Sequence, residues 1–214
     1  MKTLLLNMSP KGATPRSSGQ WIAEAFAGKH PDMSLRAPIG APVEAVLSWI
    51  RAADAVLFIV PLYIHGMPGS MMRWIETWPE DAFKGRRVGF IVQLGFTESA
   101  QARFLLRYFE CLLARWQAVP IGMTVKGGAA AIFMMPRMFW KVLKQFALLG
   151  ERYRETGMLD ETISRQLAAP ESLTRSQCRL IQFFCDIGLN NLGWHQQLRK
   201  NGALANRLDR PFLN

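Results

Sequence analysis

Residues 55–76 read "AVLFIVPLYIHGMPGSMMRWIE". The stretch opens on six apolar residues rich in β-branched and aromatic side chains, the pattern of a strand buried on both faces. Pro61 is expected to stop that strand. A loop through Gly66 follows, and Pro68 opens a helix reaching about Trp78. A wholly buried strand running through a short loop into a helix is half of a βαβ unit, whose sheet is parallel and covered by helices on both sides.

The same alternation extends in both directions. Strands are predicted at residues 2–8, 33–37, 86–94 and 118–125, and helices over 17–27, 42–52 and 98–116. Five strands with four intervening helices fit an α/β fold, a flavodoxin-like doubly wound parallel sheet of order 2-1-3-4-5. Beyond Gly128 the pattern turns helical, over 137–156, 159–168, 174–191 and 195–201. This divides the chain into a sheet domain, 1–156, and a helical extension, 157–214, packed on that domain or on a partner subunit.

The chain has 214 residues, half of them hydrophobic and 20% charged, enough to bury a core. The longest apolar run, residues 55–64, contains a proline and is too short to span a bilayer. The N-terminus lacks the pattern of a signal peptide, so a cytoplasmic location is expected. Cys111, Cys178 and Cys185 form no metal or redox motif and are expected to be buried, reduced thiols. A net charge of +10 admits anionic partners. The basic residues are dispersed, however, and no nucleic-acid-binding motif accompanies them, so no nucleic acid is expected as a partner.

Topology then fixes where a ligand binds: beyond the carboxyl ends of the strands, at the switch in strand order between the first and third. Four loops meet there. The first, "SPKGATPRSS" at residues 9–18, offers Ser9, Lys11, Arg16, Ser17 and Ser18 ahead of a helix N-terminus, which suits an anion. Equally, Ser17 serves as a plain N-cap. The loop is neither a GxxxxGK[ST] phosphate loop nor a GxGxxG dinucleotide turn. In the second loop, Tyr63 is placed to lie against a planar ligand or to lid the core, and His65 reads as a surface residue rather than a base. The third carries Gly95, Phe96, Thr97 and Glu98, and the fourth Gly127 and Gly128.

Taken together, "NMSPKGATPRSSG", "PLYIHGMPGSMMRWIE", "GFTES" and "KGG" resemble the flavodoxin-like NAD(P)H-dependent FMN reductase and quinone reductase family, in the branch related to iron–sulfur flavoproteins. The tail "LGWHQQLRKNGALANRLDRPF" is similar to tails of that branch. The resemblance implies FMN as cofactor and NADPH or NADH as electron donor, with hydride transfer to the flavin and onward to a quinone, nitro or azo compound, or free flavin. No catalytic side chain is then required. It places Ser9, Lys11, Ser17 and Ser18 on the FMN phosphate. Pro61, Leu62, Tyr63, Ile64, His65 and Gly66 would line the ring and ribityl chain, with Gly95, Phe96 and Glu98 opposite. It also implies a homodimer with a small-molecule acceptor. The cluster cysteines of the iron–sulfur branch are missing, so no metal is expected. Met8 stands where the family usually has glycine, and Thr97 where it has proline.

Two other roles are consistent with the residues. One is a non-enzymatic FMN-binding electron carrier or redox-sensing partner, although the basic charge argues against a flavodoxin-like carrier. The other is peripheral membrane contact through "RMFWKVLKQFALLGERYRE", whose Met138, Phe139, Val142, Leu143 and Phe146 recur at helical spacing. The plainer reading of that segment is a helix packed on the sheet.

Overall fold

The apolar runs become the strands of one sheet in a computed structural model that describes residues 1–188 and 191–209. Strands β1 (Thr3–Asn7), β2 (Met33–Arg36), β3 (Ala55–Leu62), β4 (Arg87–Leu94) and β5 (Val119–Lys126) lie in the order β2-β1-β3-β4-β5. Every neighbouring pair is parallel. This is the flavodoxin-like arrangement expected from the sequence.

Successive strand residues point to opposite faces, so a strand buried on both sides feeds two cores. Val56, Phe58 and Val60 join one core with Leu4 and Leu6. It is covered by α2 (Val43–Arg51), α3 (Gly69–Glu76) and α4 (Arg103–Arg115). Leu57 and Ile59 join the other with Leu5 and Ile91, beneath α1 (Ser18–Ala27) and α5 (Trp140–Thr156). Helices α1 and α5 touch closely at Gly150, where a Cβ would collide with the carbonyl of Phe26.

Two local expectations are corrected. Pro61 does not end β3: it pairs with Gln93, and the strand runs on to Leu62. Strand β1 pairs with β3 only as far as Asn7 and Ile59, so on that side no neighbour needs the N–H that proline lacks. The three cysteines are free but exposed, not buried. Cys111 is on the solvent side of α4, whose buried residues are Leu105, Phe109, Leu112 and Leu113.

Helix α6 (Glu161–Ala168), assigned on sequence to the extension 157–214, packs beside β5. Leu159 N–H donates to Ile121 O at 2.8 Å, and the Thr124 and Ser164 hydroxyls are 2.6 Å apart. The compact unit that contains the sheet extends from Met1 to Ser172, and Leu173–Asn214 forms a second. The second unit holds α7 (Arg175–Asp186), started by a capping box between Thr174 and Gln177, and α8 (Asn191–Lys200). The end of the family-like tail, residues 210–212, and residues 189–190 of the expected helix 174–191 lie outside the described residues. Among the described residues no helix is long and apolar enough to cross a membrane.

Candidate functional site

The first loop is shaped from within by Asn7, the fully buried last residue of β1. Its Oδ1 accepts the N–H of Ser9 at 3.2 Å, while Nδ2 donates to Gly12 O at 3.3 Å and Gln20 Oε1 at 3.1 Å. One side chain thus ties the strand end, the loop and the first turn of α1 together. Gly19 packs against it: a Cβ there would come within 2.8 Å of Asn7 Oδ1. Ser17 is the N-cap of α1, accepting the N–H of Gln20 at 3.4 Å. Ser9 Oγ accepts the N–H of Lys11 at 3.2 Å. Both hydroxyls act as acceptors in these bonds, leaving their own O–H groups able to donate. Met8 does not crowd the loop. Its side chain is fully buried in the core beneath α2–α4.

Facing this loop is a tight turn after β3. Tyr63 N–H donates to Gly66 O at 2.8 Å and Gly66 N–H to Tyr63 O at 3.1 Å, which leaves Ile64 and His65 to make the reversal. Both adopt left-handed backbone, with φ of +46° and +67°. For a β-branched isoleucine that is a strained state costing on the order of 1–3 kcal/mol, of the kind that concentrates at ligand sites. Ile64 is 88% exposed, so burial does not offset that cost.

The third wall comes from the ends of β4 and β5. Gln93, Leu94, Gly95 and Phe96 lead out of β4, and Gly128 N–H holds this loop by donating to Phe96 O at 2.7 Å. Gly127 is required by the close approach of the two chains, because a Cβ there would collide with the Thr97 carbonyl. The following turn brings Ala130 and Phe133 against the first loop. Ser18 Oγ donates to Ala130 O at 3.1 Å and accepts Phe133 N–H at 3.3 Å. Lys11 Nζ donates to Arg16 O at 3.3 Å and stands 4.3 Å over the Phe133 ring.

These walls enclose a cleft of about 600 Å³. Of the residues that the resemblance assigns to FMN, it gathers Ser9, Lys11, Ser17 and Ser18 on one side and Leu62, Tyr63 and Ile64 on another, with Gly95 and Phe96 between, and Arg16 of the first loop lines it as well. It does not gather the remaining four. Pro61 is buried within the sheet and Gly66 closes the turn behind Tyr63. His65 and Glu98 instead line a separate cleft of about 190 Å³ with Gln101, Arg103 and Phe104. The structure adds Gln93, Ala130 and Phe133 to the site and Asn7 beneath it. A polar residue closing an otherwise apolar strand was the available signal for Asn7 and Gln93. Nothing local marks Phe133, which a chain reversal brings to a loop far away in sequence.

The cleft has one electrostatic character. Among the described residues, Lys11 and Arg16 are its charged lining and no carboxylate lines it. Its other walls are apolar or aromatic, and partial burial raises the Tyr63 phenol above its ordinary pKa. Gln93 is 7% exposed, and its side-chain amide lines the cleft without a hydrogen-bond partner among the described residues. The arrangement therefore presents hydroxyl and cationic donors from the first loop, apolar and aromatic walls, and an amide from the end of β4. It fits an anionic ligand bearing a planar ring.

The sequence profile of the family described as NADPH-dependent FMN reductase matches residues 1–130. No curated protein matches the chain at a significant level. Among solved structures, the chain is similar to a protein described as an NADPH-quinone reductase from P. pentosaceus, at 18% identity and a TM-score of 0.56, with 69% of this chain and 96% of that one covered. It is also similar to general stress protein 14 of Treponema denticola in complex with FMN, at 17% identity and a TM-score of 0.57, covering 72% and 98%. A third is the apo form of an NADH:FMN oxidoreductase, at 14% identity and a TM-score of 0.53, covering 78% and 95%. At these identities the three structures speak for the fold.

Proposed function

The chain belongs to the NADPH-dependent FMN reductase family, an NAD(P)H-dependent flavin oxidoreductase with FMN as its cofactor, and from that premise we propose that the 600 Å³ cleft at the β1–β3 switch point is the FMN site and that a quinone, nitro or azo compound or free flavin is reduced there. The observation that carries the proposal is the donor set. The loop after β1 offers two free O–H donors, two cations and a helix N-terminus, with no acid among the described lining residues, facing the apolar and aromatic walls of the cleft. These residues fit the two ends of FMN.

In this reading Ser9, Ser17 and Lys11 hold the phosphate. Ser18 also lines the cleft, but its proton is engaged by Ala130 O, so it joins the two loops and reaches a phosphate only by giving up that bond. Leu62, Tyr63, Ile64 and Phe96 line the ring, Phe133 closes the slot and helps exclude water, and Gln93 offers an amide to the ring's polar edge. The chemistry the group supplies when bound is acceptance of a hydride at its N5 and release of the electrons to a second substrate. The protein's part is to orient, stack and keep water out, and among the residues of the cleft none is needed to move a proton.

Titration of the apoprotein with FMN and with riboflavin tests this. FMN is expected to bind at least tenfold more tightly, because riboflavin leaves Ser9, Ser17 and Lys11 without a phosphate. Equal affinity for the two overturns the phosphate assignment. Oxidation of NADPH or NADH with each acceptor class then identifies the acceptor, and binding without turnover on any of them would point to an electron carrier.

A further inference from the structure

The segment that closes the cleft does not end there. Beyond Phe133 it continues as "MMPRMFWKVLK", residues 134–144, and exposes Met134, Met135, Met138 and Trp140. Methionine is about 73% exposed at position 138. In α5 the residues split cleanly by face. Phe146, Leu149 and Tyr153 are buried against the sheet, as the plainer sequence reading of this helix has it. Trp140, Lys141, Lys144 and Leu148 fall within one 100° arc on the opposite side, and all four are exposed. The sequence carries no aspartate or glutamate from Cys111 to Gly150, so Arg137, Lys141 and Lys144 have no acidic neighbour along this stretch.

Exposed methionine, tryptophan and leucine side chains along one short segment, with Arg137, Lys141 and Lys144 in no ion pair among the described residues, mark an interaction surface. Its charge decides the occupant. A second copy docking about a two-fold axis through this patch would set Arg137, Lys141 and Lys144 against their own equivalents with no acid between them. A bilayer surface rich in anionic lipid meets both features, taking up the apolar side chains and attracting the cations. We propose that residues 134–148 form a docking surface for an anionic lipid bilayer. Ala130 and Phe133, which line the cleft, immediately precede this segment in the chain, so docking would bring the mouth of the cleft to the lipid surface. Resting on the reading of that cleft as the flavin site, this makes membrane-dissolved acceptors, lipophilic quinones by class, the substrates reached from the docked state.

The test is co-sedimentation of the FMN-loaded full-length protein with phosphatidylcholine vesicles, with and without roughly one-third phosphatidylglycerol. Wild type is expected to partition at least tenfold more strongly onto the anionic vesicles, and to be released in high salt. Two double variants, Lys141→Glu with Lys144→Glu and Met138→Ser with Trp140→Ser, are each expected to lose at least tenfold in partition. Their FMN affinity should be unchanged, because none of the four residues lines the cleft. Partition that ignores lipid charge, or that survives both double variants, overturns the proposal. So does a dimer that Trp140→Ser dissociates, since the patch would then belong to a second copy. Loss of FMN binding by wild type is a separate failure: it removes the flavin reading while the vesicle result still decides the surface.

Discussion

Replacing Asn7 with alanine is expected to release the first loop from both the strand and the helix. Asn7 is fully buried, and Ser9, whose N–H it accepts, is 3% exposed. With the Oδ1 gone, that N–H is left in the interior without a partner, at a cost of about 1–3 kcal/mol. The lost bonds to Gly12 O and Gln20 Oε1 are half-buried and open to replacement by water, so together they add only about 1 kcal/mol. The apoprotein is therefore expected to lose about 2–4 kcal/mol, read as a shift in the urea midpoint at unchanged slope. The same loop carries Ser9 and Lys11, so FMN affinity should fall at least tenfold in a flavin fluorescence titration. Asn7→Asp separates the two effects. It keeps an acceptor for Ser9 but points an anion at the carbonyl of Gly12 and toward the phosphate donors, so it should weaken FMN binding more than alanine does. An apoprotein destabilised by less than about 0.5 kcal/mol, with FMN affinity intact in both variants, would refute the role given to Asn7.

Other substitutions follow from the same contacts. Met8→Gly, which restores the residue the family usually carries, should destabilise the apoprotein by about 2–5 kcal/mol, because here the side chain fills the core; a neutral effect on the urea midpoint would show that the loop alone governs this position. Gly127→Ala forces a Cβ into the Thr97 carbonyl and should cost about 1–3 kcal/mol with weaker FMN binding, since it displaces the loop that carries Gly95 and Phe96; full retention of both properties would contradict the close packing of the two loops. Tyr153 gives a pH dependence. Burial chiefly raises its phenol above the usual 10.0, with the Thr3 hydroxyl 3.1 Å away pulling partly the other way. The unfolded chain thus loses this proton first, and the stability tied to it is complete below pH 10.0 and falls as pH rises from there through the higher folded value. Tyr153→Phe should cost about 1 kcal/mol at pH 8, with the gap to wild type narrowing above pH 10, and a gap that stays constant in alkaline denaturation would contradict the buried protonated phenol.

What could be read from the sequence was whatever rests on local pattern. Ala55–Val60 declares a strand because six apolar residues in a row satisfy both faces of a sheet, and the N-cap at Ser17 is visible because its hydroxyl bonds three residues away. The position of the cleft followed from topology, since the switch point between β1 and β3 selects its own loops. Features that depend on a distant partner were not visible. Pro61 continues β3 only because β1 stops pairing at Ile59, a fact of register rather than of residue preference. The left-handed pair Ile64–His65 contradicts the local propensity of isoleucine and exists because Tyr63 and Gly66 close on each other. Phe133 meets Lys11 across the whole length of the sheet domain, and no short-range pattern announces that. The cysteines were misplaced because their burial was inferred from residue type, whereas Cys111 falls on the outer face of its helix.

The assignment of the cleft is tested most directly by backbone hydrogen exchange of the apoprotein with and without saturating FMN. Protection is expected in residues 9–18, 62–64, 93–96 and 129–133, the four segments that wall the cleft, with little change elsewhere. Unchanged exchange in those segments, or protection concentrated instead at residues 39–43 and 69–77, would place the flavin outside the β1–β3 switch point and contradict the site.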